Sequence, residues 1–133
     1  KAFVPLRILV AEDNKVNQTV VSRLLERAGH TVVIAANGQE AAEICSTGKF
    51  DLILMDVHMP VLDGFEATAR IRATDRSRGI RTPLIALTAN AMDGDRERCL
   101  LAGMDGYISK PVSRDVLLDT IAQFAGGVKS VLS

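Results

Sequence analysis

An excess of charge of one sign is missing from this chain. Sixteen Lys and Arg side chains offset sixteen Asp and Glu, for a net charge of zero. No overall field therefore draws the chain to nucleic acid or to an anionic membrane surface. Long apolar runs are missing too: none approaches the roughly 20 residues that span a bilayer. Cysteine is scarce, and the two present, Cys45 and Cys99, stand among apolar residues at helical spacing. With no CxxC pair and no Cys/His cluster, they read as reduced packing residues rather than metal ligands or a disulfide framework. Tryptophan is absent and tyrosine occurs once, as Tyr107, so intrinsic emission reports on a single side chain. The chain starts at Lys1 with neither an initiator Met nor a signal peptide. The expectation is a piece of a longer cytoplasmic protein.

What is present suits one globular unit. At 133 residues, 47% of them hydrophobic, the chain can bury a single sizeable core. We expect one domain over 1–133, with a core at about 6–125 and a flexible tail at 126–133. The most informative stretch is Asp51-Leu-Ile-Leu-Met-Asp56-Val-His-Met-Pro60. Leu52 to Met55 form an unbroken apolar run that fits a strand covered on both faces. Pro60 halts it, and from Asp63-Gly64 the pattern turns helical, with Phe65, Ala69 and Ile71 at core spacing. Asp56 is thus driven to the carboxyl end of a buried strand, where open α/β sheets place their binding crevices.

The remaining elements alternate in the same way. Leu6 to Ala11 is a β-rich run closed by Glu12-Asp13-Asn14. Val16, Val20, Val21, Leu24, Leu25 and Ala28 then recur at helical spacing, with Gly29 as terminator. Thr31 to Ala36 reads as a strand, and Ala41, Ala42, Ile44 and Cys45 as the buried face of a helix ending near Gly48. Arg72 to Arg81 is polar and is expected to be a loop or a frayed helix end. A fourth strand, Leu84 to Thr88, follows Pro83. Ala91 to Ala102 is the weakest helix, because Asp93, Gly94 and Asp95 are poor formers. Gly106 to Ser109 makes a short fifth strand before Lys110-Pro111, and Ser113 caps a last helix whose apolar positions run from Val116 to Ala125.

Five strands alternating with five helices imply an open parallel sheet with helices on both faces. At this length the common solution is a flavodoxin-like, doubly wound order 2-1-3-4-5. That order brings Glu12, Asp13 and Asp56 to one crevice, where their mutual repulsion calls for a cation. Hard oxygen ligands of this kind suit Mg²⁺. Thr88 and Lys110 end the next two strands on the same edge. Singly, each has a plain structural role: Asp13 as a helix cap, Thr88 as a partner of a loop amide, Lys110 as a salt-bridge partner of Asp56. Lys110 could equally hold a phosphoryl oxygen as a point charge. Five polar groups at the ends of four strands, all on the ligand-binding edge, are hard to produce by packing requirements alone.

With these residues in hand, the chain resembles the receiver domains of two-component phosphorelays. The resemblance runs from about Leu6 to Phe124 and rests on Val10-Ala-Glu-Asp-Asn14, Leu54-Met-Asp-Val-His-Met-Pro-Val-Leu-Asp-Gly64, Ala86-Leu-Thr-Ala89 and Gly106-Tyr-Ile-Ser-Lys-Pro111. It implies that Asp56 is the phosphoacceptor and that Glu12, Asp13, Asp56 and the backbone carbonyl of His58 serve Mg²⁺. By the same resemblance Lys110 contacts the phosphoryl group, Thr88 moves onto it, Tyr107 is the aromatic switch, and Lys110-Pro111 is a cis peptide. His58 and Asn90 fall where receivers tune the rate of phosphoryl loss. The wording Glu-Asp-Asn-Lys-Val-Asn-Gln is most similar to receivers of hybrid sensor histidine kinases.

The implied partner is therefore a phosphohistidine, on a kinase dimerisation domain or a histidine phosphotransfer domain, with no nucleic acid and no direct membrane contact. The domain would catalyse its own phosphorylation and dephosphorylation, inside a parent that is a protein-histidine kinase, cytoplasmic or the cytoplasmic part of a membrane-anchored one. Its docking surface would be the crevice rim and the first helix, through Lys15, Gln18, Thr19 and Ser22. Alternatives are a stand-alone or output-linked response regulator receiver, or a docking module that is never phosphorylated. A haloacid-dehalogenase-type phosphatase would need a second Asp where His58 stands. An FMN carrier would need hydroxyls and free amides where Glu12-Asp13 would repel its phosphate.

Overall fold

The computed structural model describes residues 5–59, 61–89, 94 and 96–126. In chain order the elements are β1 (Arg7–Ala11), α1 (Lys15–Arg27), β2 (Thr31–Ala35), α2 (Gly38–Thr47), β3 (Leu52–Asp56), α3 (Gly64–Arg78), β4 (Leu84–Thr88), α4 (Arg96–Leu101), β5 (Gly106–Ser109) and α5 (Arg114–Ile121). A π-helical turn, Ala122–Gly126, follows α5. All strand pairs are parallel and the order is β2-β1-β3-β4-β5, as expected. Of the expected elements, the segment 91–93, Asp95 and the tail from 127 lie outside the described residues, as do Pro60 and Asn90.

Period-two alternation divides each central strand between two apolar layers. Ile53 and Met55 of β3 face a layer containing Ala41, Cys45, Ala67, Ile71 and Cys99 from α2, α3 and α4. Leu52 and Leu54 face the other, with Val21 and Leu25 of α1 and Leu117 and Ile121 of α5. Helices on both faces leave β3 and β4 buried at every residue, which is why their sequences are continuous apolar runs. Both cysteines are buried and unbridged. The Cys45 thiol is pushed up to about 12, first by burial and then by the negative charge of Asp75, with Arg78 opposing.

Two expectations need correction. Arg72 to Arg81 is not a loop: α3 continues to Arg78 and ends at Gly79 in the left-handed conformation, φ 69°. Its buried face is Gly64, Ala67, Thr68, Ile71, Arg72 and Asp75, whereas Ala69 is exposed. The spacing is helical, but half of the face is polar, so hydrophobicity alone hides it. Arg72 is satisfied inside by the carbonyls of Gly103 (2.9 Å) and Thr82 (2.7 Å) and by Asp75 (3.2 Å) and Asp105 (2.9 Å). The second correction is Ala69 itself, expected at core spacing but exposed; on α1 burial is partial. Val16 and Val20 are 70% and 44% exposed and only Val21 and Leu25 are buried, so two of the apolar positions face outward.

Candidate functional site

Parallel pairing makes four strands end on one edge. Register pairs Ala11 with Met55, Asp56 with Leu87, and Thr88 with Ser109, so Glu12, Asp56, Thr88 and Lys110 emerge within two residues of one another across the sheet. Glu12 prolongs the β1–β2 ladder by donating its N–H to Ala35 O at 3.0 Å. Asn14, not Asp13, caps α1: its side chain accepts the Asn17 N–H at 3.0 Å. Asp13 is thereby left exposed beside the other two carboxylates. One oxygen from each of Glu12, Asp13 and Asp56 lies within 4.8 Å of the others.

Lys110 closes the cluster. Its backbone N–H donates to Thr88 O at 2.8 Å, and the following bond to Pro111 is cis, as expected. Its ammonium donates to Oδ2 of Asp56 at 2.9 Å and stands 3.1 Å from Oε1 of Glu12. Burial, the largest single influence, lowers the lysine pKa, but hydrogen bonding and charge from Asp56, with the charge of Glu12, outweigh it and the pKa ends above the ordinary value. The lysine is held charged. The remaining acceptors are partly filled by backbone: His58 N–H donates to Oδ1 of Asp56 at 3.2 Å and Asn14 N–H to Oε2 of Glu12 at 3.1 Å.

One cation against three carboxylates leaves two negative charges uncompensated in a pocket where Glu12 is 1% and Asp56 4% exposed. Oε1 of Glu12 is fully buried and lacks a well-aligned hydrogen bond. Clustered hard oxygens, negative charge beyond what Lys110 cancels and one exposed carboxylate through which water can exchange together fit a divalent cation of the Mg²⁺ type.

The loop that carries Asp56 onward is fixed by close backbone approach. Gly64 donates its N–H to Val57 O at 3.0 Å, and a Cβ on it would stand 2.5 Å from Asp56 O. Gly38, at the start of α2, donates to Leu62 O at 3.1 Å and likewise has no room for a Cβ. Sequence reasoning missed these two clamps. The Asp63-Gly64 and Asn37-Gly38 pairs mark the turns, but their contacts across the fold leave no local trace.

Of the residues singled out from sequence, Glu12, Asp13, Asp56 and Lys110 come together, and Thr88 lies fully buried at the end of the next strand. His58 is exposed, and its backbone N–H donates to Asp56 Oδ1. Tyr107 pairs with Ala86 in β4, two residues before Thr88, and its half-buried ring carries the Arg96 guanidinium 5.4 Å from its centroid. A groove of about 390 Å³ runs from Lys110 along Pro111 and Val112 to Asn17, Val20 and Val21. A slightly larger cleft of about 440 Å³, lined by Arg72, Arg76, Arg81 and Gly103, opens instead near the amino end of β4, remote from the carboxylates. Among the described residues no helix is long and apolar enough to cross a membrane.

Known proteins share this arrangement. The response regulator receiver domain model matches residues 8–122. Hybrid signal transduction histidine kinase I of Dictyostelium discoideum is 41% identical over 124 residues, covering 90% of this chain but 7% of that protein. The sensor histidine kinase RcsC of Salmonella typhimurium is 37% identical over 124 residues, covering 93% of this chain and 13% of its own. Among solved structures, the receiver domain of a Pseudomonas aeruginosa sensor histidine kinase, with magnesium coordinated in its active-site cleft, is 46% identical at a TM-score of 0.84, covering 92% of this chain and 99% of that one. The receiver of the Saccharomyces cerevisiae response regulator Ssk1, solved with the histidine phosphotransfer protein Ypd1, is 33% identical at a TM-score of 0.88, covering 94% and 92%. The family match over most of the chain, on a sheet that ends in three carboxylates and a lysine, places this protein in the response regulator receiver domain family.

Proposed function

We propose that Asp56 accepts a phosphoryl group from a phosphohistidine on a partner protein, with Mg²⁺ held by Glu12, Asp13, Asp56 and the backbone carbonyl of His58. The observation that carries this is the Lys110–Asp56 contact at 2.9 Å inside a cluster whose negative charge exceeds what the lysine can cancel. The bound cation would supply charge neutralisation on the phosphoryl oxygens. The rest falls to the chain. An Asp56 oxygen attacks phosphorus, the new P–O bond forms as the P–N bond to the donor imidazole breaks, and the imidazole leaves with the electron pair of that bond. No general base is needed, because the nucleophile is already a carboxylate. Lys110 transfers its contact from the carboxylate to a phosphoryl oxygen.

In this reading Thr88 moves toward the phosphoryl group and Tyr107 reorients into the space released, while His58 and Asn90 tune the lifetime of the phosphoaspartate. The donor is a histidine phosphotransfer domain or a kinase dimerisation domain, docking on the rim and on α1 through Lys15, Gln18, Thr19 and Ser22, with Val16 and Val20 now added to that surface. The parent is a cytoplasmic or membrane-anchored hybrid kinase, in keeping with relatives of which the chain spans 7% and 13%. Acetyl phosphate with Mg²⁺ should add the mass of one phosphate to the intact chain. Chelation of the metal should prevent it, and uptake that ignores chelation would refute the metal's part.

A further inference from the structure

Val61 carries an unexplained cost. Among the described residues it is the one non-glycine with positive φ, at 70°. A β-branched side chain is poorly suited to that left-handed conformation. Its neighbours explain the backbone: Met59 and Leu62 are both buried, at 8% and 7% exposure, and Leu62 is tied to Gly38, so the chain must reverse between them. They do not explain the valine. Glycine, asparagine or aspartate takes this conformation at lower cost, and the Val61 side chain gives nothing to the core because it is 74% exposed. Strain kept at an exposed position of the loop that leads from Asp56 points to a use outside the chain.

The position limits what that use is. Val61 follows β3 and Val16, 70% exposed, follows β1; these strands are parallel neighbours, so both valines share the carboxyl edge from which a phosphoryl donor must arrive. An ion or a small donor has no use for an apolar rim, whereas a protein donor has apolar surface to bury there. We propose that Val61 is a specificity-determining contact for phosphoryl transfer, packing its isopropyl group against apolar side chains beside the phosphohistidine of a helical donor protein. This rests on Asp56 being the acceptor.

The test compares two donors. Val61→Asn and Val61→Gly, both able to adopt the left-handed conformation, are phosphorylated in parallel by acetyl phosphate with Mg²⁺ and by a phosphorylated histidine phosphotransfer protein. The protein donor is the one, from a panel that includes Ypd1, that transfers fastest to the native chain. The ratio of the protein-donor rate to the acetyl phosphate rate should fall about tenfold, as loss of one buried apolar contact implies. Val61→Ile should restore it, and neither relieved variant should melt below the native protein. An unchanged ratio overturns the proposal. Equal losses with both donors overturn it too, by assigning Val61 to loop construction, as does a panel in which no protein transfers to a native chain that acetyl phosphate does label. Failure of acetyl phosphate itself on the native chain strikes the acceptor reading instead.

Discussion

At Lys110, burial and two carboxylates pull the ammonium in opposite directions and the carboxylates win. Replacing it with Met removes the cation that the proposed reaction needs and should slow phosphate uptake from acetyl phosphate by about 10²-fold, the scale found when one charge-stabilising donor is lost; a stopped-flow or mass time course would show it. Gly64 acts on the same chemistry through space alone. Because a Cβ would collide with backbone at Asp56 and Val57, which cannot swing away, Gly64→Ala should cost about 1–3 kcal/mol in urea unfolding and slow phosphorylation together. His30 gives a pH signature. Its Nδ1 accepts the Leu6 N–H at 3.0 Å, and burial lowers its pKa below the ordinary 6.5, so the unfolded chain protonates first. The contribution of His30 to stability is therefore complete above about pH 6.5 and is lost as pH falls through and below that value. Urea midpoints measured from pH 8 to 5 should decline on the acid side, and His30→Gln should remove part of the decline.

Among the elements, α3 departs most from its sequence appearance. Arg72 reaches the α4–β5 connection through Gly103 and Asp105 and the start of β4 through Thr82, so an ionic interior joins three segments. Arg72→Met would strand Asp75 without its guanidinium and should destabilise by about 3–5 kcal/mol, read from denaturant midpoints. Periodicity could not reveal this helix end, because the residues facing inward there are Arg72 and Asp75, and three of the partners of Arg72 lie 10 to 33 residues away. The strands were legible because burial on both faces writes itself as uninterrupted Leu, Ile, Val and Met. The cap Ser113 was legible because its function is local, whereas the Asn37 and Asp63 pairs with glycine showed only that a turn leads into a helix. On α1 the helical spacing was legible, but spacing does not tell which apolar positions are covered, and Val16 and Val20 face solvent. Four of the site residues could be found because strand ends are visible in sequence; the Glu12–Lys110 contact could not, since it depends on side-chain reach across two strands.

At the scale of the whole molecule, the single tyrosine makes conformational change readable. If phosphorylation draws Thr88 toward Asp56, the Tyr107 ring should leave Arg96, and beryllofluoride with Mg²⁺ should alter Tyr107 emission and its quenching by acrylamide. Thr88→Ala should weaken that response while leaving Asp56 able to take up phosphate. All of this presupposes that the carboxyl edge of the sheet delivers its charge to one nucleophile. The direct measurement is chemical mapping: phosphorylate the chain with acetyl phosphate and Mg²⁺, reduce the acyl phosphate with borohydride to homoserine, and locate the reduced residue by peptide mass spectrometry. Reduction at Asp56 alone, and none in Asp56→Asn, is the predicted result. Reduction at Asp13 or Asp51, or unchanged labelling of Asp56→Asn, would contradict it.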